Sequence, residues 1–196
     1  MGRDRIKSNN SSSYNDLLIK KDSEIKRLKK QLFYLKKHYS KDPLTNTLNK
    51  INGLRRLQIE INKSQINKTP TTIAFIDVDD MKSINDNYGH CVGDDLLLTL
   101  GNLISANIRK WDFVFRFGGD EFVIVFSDTD KDQATSVLKR IEKKIEIFNK
   151  SKENIFNIDI SYGINEYKGE EKIKIYNFLD SADINMYEHK KMKKFG

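Results

Sequence analysis

Apolar residues near the start of the chain recur at alternating steps of four and three: Tyr14, Leu18, Lys21, Ile25, Leu28, Leu32, Leu35 and Tyr39. That spacing keeps one stripe on one side of a helix. It predicts a short parallel coiled coil, interrupted only at Lys21, with the flanking lysines turned to solvent. An amphipathic helix lying on its own domain is the competing reading. The polar run from Lys7 to Ser13 ahead of it is low in helix propensity and carries no chemistry, so residues 1–13 read as a flexible lead-in. Pro43 ends the helix, because proline restrains the residue before it and cannot donate to the helical ladder. Residues 14–41 are therefore the helix, and a domain begins at residue 42.

Beyond that point helical and strand periods alternate. Leu54, Leu57 and Ile61 form a helical stripe, and Thr71 to Val78 is β-branched and apolar enough for a buried strand. Leu96, Leu97, Leu100, Leu103, Ile104 and Ile108 predict another helix. Phe113, Phe115 and Phe117 alternate with other residues up to Gly118-Gly119, and Phe122, Ile124 and Phe126 alternate after it, which predicts a hairpin with a Gly-Gly turn. Ala134, Val137, Leu138, Ile141, Ile145 and Phe148 give a further helix, Ile155 to Ile164 a strand, and Ile173 to Lys191 a closing helix. The order α-β-α-β-β-α-β-α predicts a mixed α/β fold of the α+β kind, an antiparallel central sheet with helices packed on it.

Composition narrows the function. With 196 residues, 38% of them hydrophobic, the chain has material for one domain and a flanking helix, and 10 Gly with 2 Pro exclude collagen-like or Pro-rich readings. The single cysteine, Cys91, excludes an internal disulfide and a cysteine zinc cluster, and reads as a small buried side chain instead of a nucleophile. No apolar stretch approaches the roughly 20 residues of a membrane span, and the polar start lacks a signal-peptide core, so the cytoplasm is the default location. The net charge of +7 would suggest a polyanion partner if it were spread over the fold. It is concentrated instead: residues 1–41 carry 12 basic and 4 acidic residues, and the remainder is nearly neutral. No basic stripe with interleaved aromatics runs through the domain, so a nucleic-acid partner is not expected.

The candidate chemistry lies in acids at strand ends. Asp77 closes an apolar strand, and Asp120-Glu121 follows the Gly-Gly turn directly. Singly, Asp77 reads as a cap of the next helix and Asp120 as turn support. If the hairpin lies beside the strand ending at Asp77, the carboxylates converge, and hard oxygens around a small divalent cation are the usual reason to tolerate that crowding. Mg2+ is the expected occupant, with Mn2+ as the alternative. Gly118 and Gly119 let a bulky anion approach the backbone closely, which makes phosphoryl chemistry the leading class. The polar connection from Asp79 to Asp94 supplies Lys82, which could neutralise a phosphate, and Asn85 and Asp94, which could read a base edge. A carboxylate accepts from guanine's ring N–H and amino group together, a pair adenine lacks. His90 by itself reads as a turn or packing histidine.

These residues resemble the GGDEF-domain diguanylate cyclase family. The run Phe115-Arg116-Phe117-Gly118-Gly119-Asp120-Glu121-Phe122 holds the literal GGDEF signature. Asp42-Pro43-Leu44-Thr45 with Asn49, Asp77-Val78-Asp79, Asn85-Asp86 with Gly89-His90 and Gly93-Asp94, Ser161-Tyr162-Gly163, and Ala182-Asp183 to Tyr187 follow in the family's order. A lone GGDEF string could arise by chance in a hairpin; this set in register hardly could.

The resemblance implies a palm-like fold over residues 42–196, related to nucleotidyl cyclase domains. It implies a homodimer that condenses two GTP into cyclic di-GMP with loss of pyrophosphate. By the same resemblance Asp77, the Val78 carbonyl and Asp120 hold the metal, and Asp120 and Glu121 form the acidic pair at the reacting centre. Asn85 and Asp94 read guanine with His90 adjacent, while Lys82, Lys190 and Lys194 contact phosphates. Arg109-Lys110-Trp111-Asp112 has the RxxD spacing of the family's product-inhibition site, which implies a cyclic di-GMP site using Arg109 and Asp112. A surface ion pair at a helix end is its bland reading. The helix ahead of the domain would bring two half-sites together and carry the input signal.

Departures from the family's usual pattern are Lys50 and Lys194 for arginine, Asn46 for glycine, Thr47 for leucine, Met81 for phenylalanine, and Asp159 for threonine. None removes a proposed ligand. With the chain ending at Gly196, a final strand usual in the family is expected to be shortened or missing. The rival reading is a non-catalytic GGDEF domain acting as a GTP or cyclic di-GMP receptor; the intact acids argue against it. A basic coiled-coil adaptor with a merely structural domain is the remaining rival.

Overall fold

The structure, a computed structural model, describes residues 17–32 and 40–195. The chain divides into two compact units, with the division between Tyr39 and Ser40. The first contains helix α1 (17–32), on which Leu18, Ile25, Leu28 and Leu32 are all exposed. Tyr14, Leu35 and Tyr39 of the heptad stripe and the lead-in 1–13 lie outside the described residues, whereas Lys41, expected to close the first helix, instead pairs with Leu48 in an isolated β-bridge.

The second unit runs α2 (Lys50–Asn67), β1 (Thr71–Val78), α3 (Met81–Tyr88), α4 (His90–Asn107), β2 (Phe113–Arg116), β3 (Glu121–Ser127), α5 (Lys131–Asn149), β4 (Ile160–Tyr167) and α6 (Ile175–Phe195). The strands form one antiparallel sheet in the order β2-β3-β1-β4, so the predicted hairpin lies beside the predicted buried strand. Because successive strand residues face opposite ways, β1 feeds two cores. Ala74, Ile76 and Val78 pack with Leu96 and Leu100 of α4 and Leu138 and Ile141 of α5. Ile73 and Phe75 pack on the other face with Leu57 of α2 and Phe178 and Met186 of α6. Each fully buried side chain of this size contributes roughly 1.5–3 kcal/mol, so the strand carrying Asp77 is firmly held from both faces of the sheet.

Two predicted elements need correction. The stretch 79–94 is not an irregular connection: α3 occupies Met81–Tyr88, entered through Asp80 at φ 55° and ended at Gly89 at φ 85°. Its Asn-Asp-Asn sequence is a weak helix former and hid it. The strand expected from Ile155 to Ile164 begins only at Ile160 and runs to Tyr167, which pairs with Thr71. Ile158 is excluded because the Asn149 side chain takes both its backbone groups: its N–H donates to Asn149 Oδ1 at 2.8 Å and its carbonyl accepts from Nδ2 at 2.7 Å.

Helix α6 crosses β4 at Gly163, where a Cβ would stand 2.1 Å from the Ala182 carbonyl oxygen. That contact brings the C-terminal half of α6 to the end of β1. Among the described residues no helix is long and apolar enough to cross a membrane.

Candidate active site

The site forms where β1 ends and β3 begins. Asp77 stands opposite Glu121 in the register, and the Val78 N–H donates to the Asp120 carbonyl at 3.1 Å, so strand pairing brings the three acids to one sheet end. Arg116 fastens the turn between them. Its Nε and Nη2 donate to the Gly119 carbonyl at 3.1 and 2.6 Å, and its Nη1 donates to Asp42 Oδ1 at 3.2 Å. Asp42 also accepts from the Thr45 N–H and hydroxyl at 2.9 and 2.8 Å, which ties the domain's opening residues to the signature turn.

The two glycines differ. A Cβ on Gly118 would stand 2.1 Å from Glu121 Oε2, so that carboxylate occupies the space a side chain would take. A Cβ on Gly119 would meet nothing within 4 Å, leaving that backbone open to a ligand. A cleft of about 430 Å³ lined by Asp42, Lys50, Arg116 and both glycines flanks the turn.

The electrostatics favour an incoming cation. Burial pushes the Asp77 carboxyl above its ordinary range, and the charges of Asp120 and Asp79 add to the push, outweighing the Lys190 ammonium bonded to it. Glu121 is raised for the same reason, by burial first and then by Asp120, Asp77 and Asp183. Lys190 is raised as well: burial would lower it, but Asp77 and Asp79 prevail. Both members of the Asp77–Lys190 pair therefore move up, because burial, aided by the acidic neighbours, raises Asp77 more than its partner lowers it. Asp79 goes the other way. Burial would raise it, yet hydrogen bonds from Lys193 and Ser161 hold it below the usual range.

Hard carboxylate oxygens with an ammonium already beside them fit a divalent cation by donor type and charge. Among the described residues, no three His, Cys, Asp or Glu side chains are grouped to hold an ion by themselves. The arrangement suits a cation shared with backbone and substrate oxygens, not a closed structural site.

The base-reading candidates sit at the α3–α4 junction. A Cβ on Gly93 would lie 2.1 Å from Asn85 Oδ1, so Asn85 rests against the first turn of α4, next in sequence to Asp94. Lys82, His90 and Asp94 are exposed. Cys91 is exposed too, contrary to the buried reading, because the first turn of α4 carries no core residue before Gly93. Lys190 reaches Asp77, and lies 3.5 Å from Asp79, while Lys194 is exposed one turn on.

At the far end of the hairpin, Asp112 is buried, and its carboxylate accepts from the backbone N–H of Arg109 at 3.0 Å and of Ser127 at 3.2 Å. The helix-end ion pair of the bland reading is replaced by a backbone turn with the Arg109 side chain exposed.

The sequence profile described as "Diguanylate cyclase, GGDEF domain" matches residues 39–195. The chain belongs to the GGDEF domain family. A probable diguanylate cyclase of Escherichia coli, DgcT, is 36% identical over 106 residues, covering 54% of this chain and 23% of the relative. Diguanylate cyclase A of Treponema denticola is 35% identical over 134 residues, covering 66% of this chain and 35% of the relative. The chain thus spans about a third or less of the length of these curated relatives. The crystal structure of the coiled coil and GGDEF domain of Caulobacter crescentus DgcB in complex with c-di-GMP superimposes with a TM-score of 0.77. It is 23% identical, covering 91% of this chain and 95% of that one, and it shows the shared fold.

Two features of this GGDEF domain escaped sequence reasoning. Arg116 and Asp42 lie inside quoted motifs, but their 74-residue separation concealed the ion pair between them. Lys193 sits in a run of lysines where no spacing singles it out, and yet it binds Asp79, Asp159 and the Ile160 carbonyl.

Proposed function

We propose that this GGDEF domain is a diguanylate cyclase that condenses two GTP into cyclic di-GMP and two pyrophosphates. The observation that carries the reading is the convergence of Asp77, Asp120 and Glu121, two of them with raised carboxyl pKa, on one sheet end beside an open glycine turn. Asp77, Asp120 and the Val78 carbonyl would hold Mg2+, or Mn2+ in its place. That ion, when bound, neutralises phosphate charge and makes the α-phosphorus a better electrophile.

The chain's own residues do the rest. Glu121, poised by burial to take a proton, accepts it from the 3′-hydroxyl of one GTP as that oxygen bonds to the α-phosphorus of the other. The bond to the departing pyrophosphate breaks, and Lys82, Lys190 and Lys194 neutralise the phosphate oxygens. Repetition with the roles exchanged closes the ring. Asn85 and Asp94 select guanine, with His90 at the same helix start. Each protomer supplies one half-site, so two domains must face each other. The exposed Leu18, Ile25, Leu28 and Leu32 of α1 support pairing with a second copy through a coiled coil. Arg109 is the exposed cation of a cyclic di-GMP inhibitory site, with Asp112 shaping the turn that presents it.

The test is a mixed GTP/ATP incubation with Mg2+ and mass analysis of products. Cyclic di-GMP alone is the expected outcome. A linear or adenine-containing product would overturn the substrate assignment, and bound GTP without turnover would favour a receptor.

A further inference from the structure

Helix α6 lies along the outer edge of β4 in register. Asn185 Nδ2 donates to the Ile164 carbonyl at 2.9 Å, the Tyr162 N–H donates to His189 Nδ1 at 3.1 Å, and Lys193 Nζ donates to the Ile160 carbonyl at 2.9 Å. Four helical residues rise about 6 Å and two strand residues about 6.6 Å, so positions 185, 189 and 193 meet positions 164, 162 and 160 in turn. β4 is an edge strand, and three of its outward backbone groups are thereby bonded by the helix. The same register fixes where the lysines between those positions fall.

Lys193 and Lys190 share one acid. Asp79, with its side chain 8% exposed, accepts from Ser161 Oγ at 2.9 and 3.0 Å and from Lys193 at 2.7 Å, while Lys190 stands 3.5 Å away and bonds Asp77. Lys193 is also held by Asp159 and the Ile160 carbonyl. A carboxylate this buried is costly without a cation. If Lys190 were its sole cation, Lys190 could not leave.

We propose that Lys193 is a positioning residue: it is the standing counter-ion of Asp79, and so leaves Lys190 free to exchange Asp77 for a nucleotide phosphate. The inference rests on the cyclase reading for the phosphate. Its core, that Lys193 governs the availability of Lys190, belongs to the free protein. Asp159, just before β4, and Ile160, its first residue, anchor Lys193 independently of the acid it neutralises.

The test uses Lys193→Met, Lys193→Arg and the double variant Lys193→Met/Asp79→Asn, with two readouts. The first is modification of Lys190 in the free chain by an amine-reactive reagent, followed by mass spectrometry. Lys193→Met is expected to slow it about threefold, because Lys190 is then drawn to two uncompensated acids. The double variant and Lys193→Arg are expected to restore it. The second readout is the dissociation constant of a non-reacting GTP analogue, expected to weaken about tenfold in Lys193→Met, the scale of one lost charge-assisted hydrogen bond, and to recover in the double variant.

A merely structural role would not be rescued by removing the charge of Asp79. Unchanged Lys190 modification in folded Lys193→Met, or no recovery in the double variant, overturns the proposal. Should Lys193→Met fail to fold, Lys193→Gln, which keeps a donor without the charge, carries the same expectation. If the parent chain binds no GTP analogue, the cyclase reading falls, and Lys190 modification alone decides the role of Lys193.

Discussion

The two ends of the β2–β3 hairpin carry acids in opposite condition. At the open end Asp112 is buried, and both its oxygens accept backbone N–H groups from Arg109 and Ser127. At the turn, Asp120 and Glu121 make no side-chain hydrogen bond or ion pair among the described residues, and burial, followed by the charges of Asp120 and Asp77, raises the Glu121 pKa. Both ends are built by the same strand pairing, so secondary structure alone does not separate them. What separates them is where the donors come from: the chain supplies them to Asp112 and withholds them from the turn. An acid with internal donors fixes a loop; acids without them await a cation or a proton.

The most forceful way to break this contrast is to remove an acid at the turn. Asp120→Ala is expected to lower cyclic di-GMP formation by at least about 10³-fold, the scale expected for losing the metal ligand proposed at the reacting centre, while leaving the melting temperature unchanged or slightly higher. Product formation and thermal unfolding measured on the same preparation check it. Turnover near the parent rate would place the chemistry elsewhere.

The opposite result is expected at the other end. Asp112→Ala leaves the N–H of Ser127, in β3, and that of Arg109 without acceptors, and is expected to cost roughly 2–4 kcal/mol, since a buried unpaired donor costs about 1–3 and the half-buried Arg109 N–H less. Urea denaturation reads this directly as a lower midpoint at constant slope. A loss below about half a kcal/mol would mean that solvent replaces the acid freely, and the distinction between the two ends would weaken.

How much of this was legible in the sequence depended on distance along the chain. The hairpin was readable because Phe113, Phe115, Phe122 and Ile124 alternate around two glycines, a local pattern with a local cause. The convergence of Asp77 with Asp120-Glu121 needed one long-range assumption, that β3 lies beside β1, and the register Asp77↔Glu121 supplies it. Helix α3 was missed because Asn85, Asp86 and Asn87 favour turns, and its packing against α4 at Gly93 overrides that preference. The late start of β4 was missed because Asn149, a helix residue nine positions before Ile158, claims that residue's backbone. Lys193 was invisible for a similar reason: its partners Asp79 and Asp159 lie 114 and 34 residues away, and only the crossing of α6 over Gly163 brings them together. The convergence of the acids was thus readable from residue type and one assumed strand pairing, but the counter-ions that tune them were not.

The finest test of the contrast is Glu121→Gln followed across pH. Burial and three neighbouring carboxylates raise Glu121 above the ordinary glutamate value of 4.5. Between that value and the raised one, the folded state holds a proton that the unfolded chain has already lost, so the parent's stability falls as pH rises through the window. Glutamine removes the charge and keeps the shape. Below about pH 4.5 both chains carry a neutral side chain here, and their melting temperatures are expected to coincide. Above it the variant should pull ahead and then level off, by on the order of 0.5–1 kcal/mol, because solvent screens this partly exposed site. The gain should shrink in high salt, since part of it is repulsion from Asp120, Asp77 and Asp183. A variant equally stable at every pH would mean that Glu121 pays nothing for its position, and the turn would then be no more strained electrostatically than the end held by Asp112.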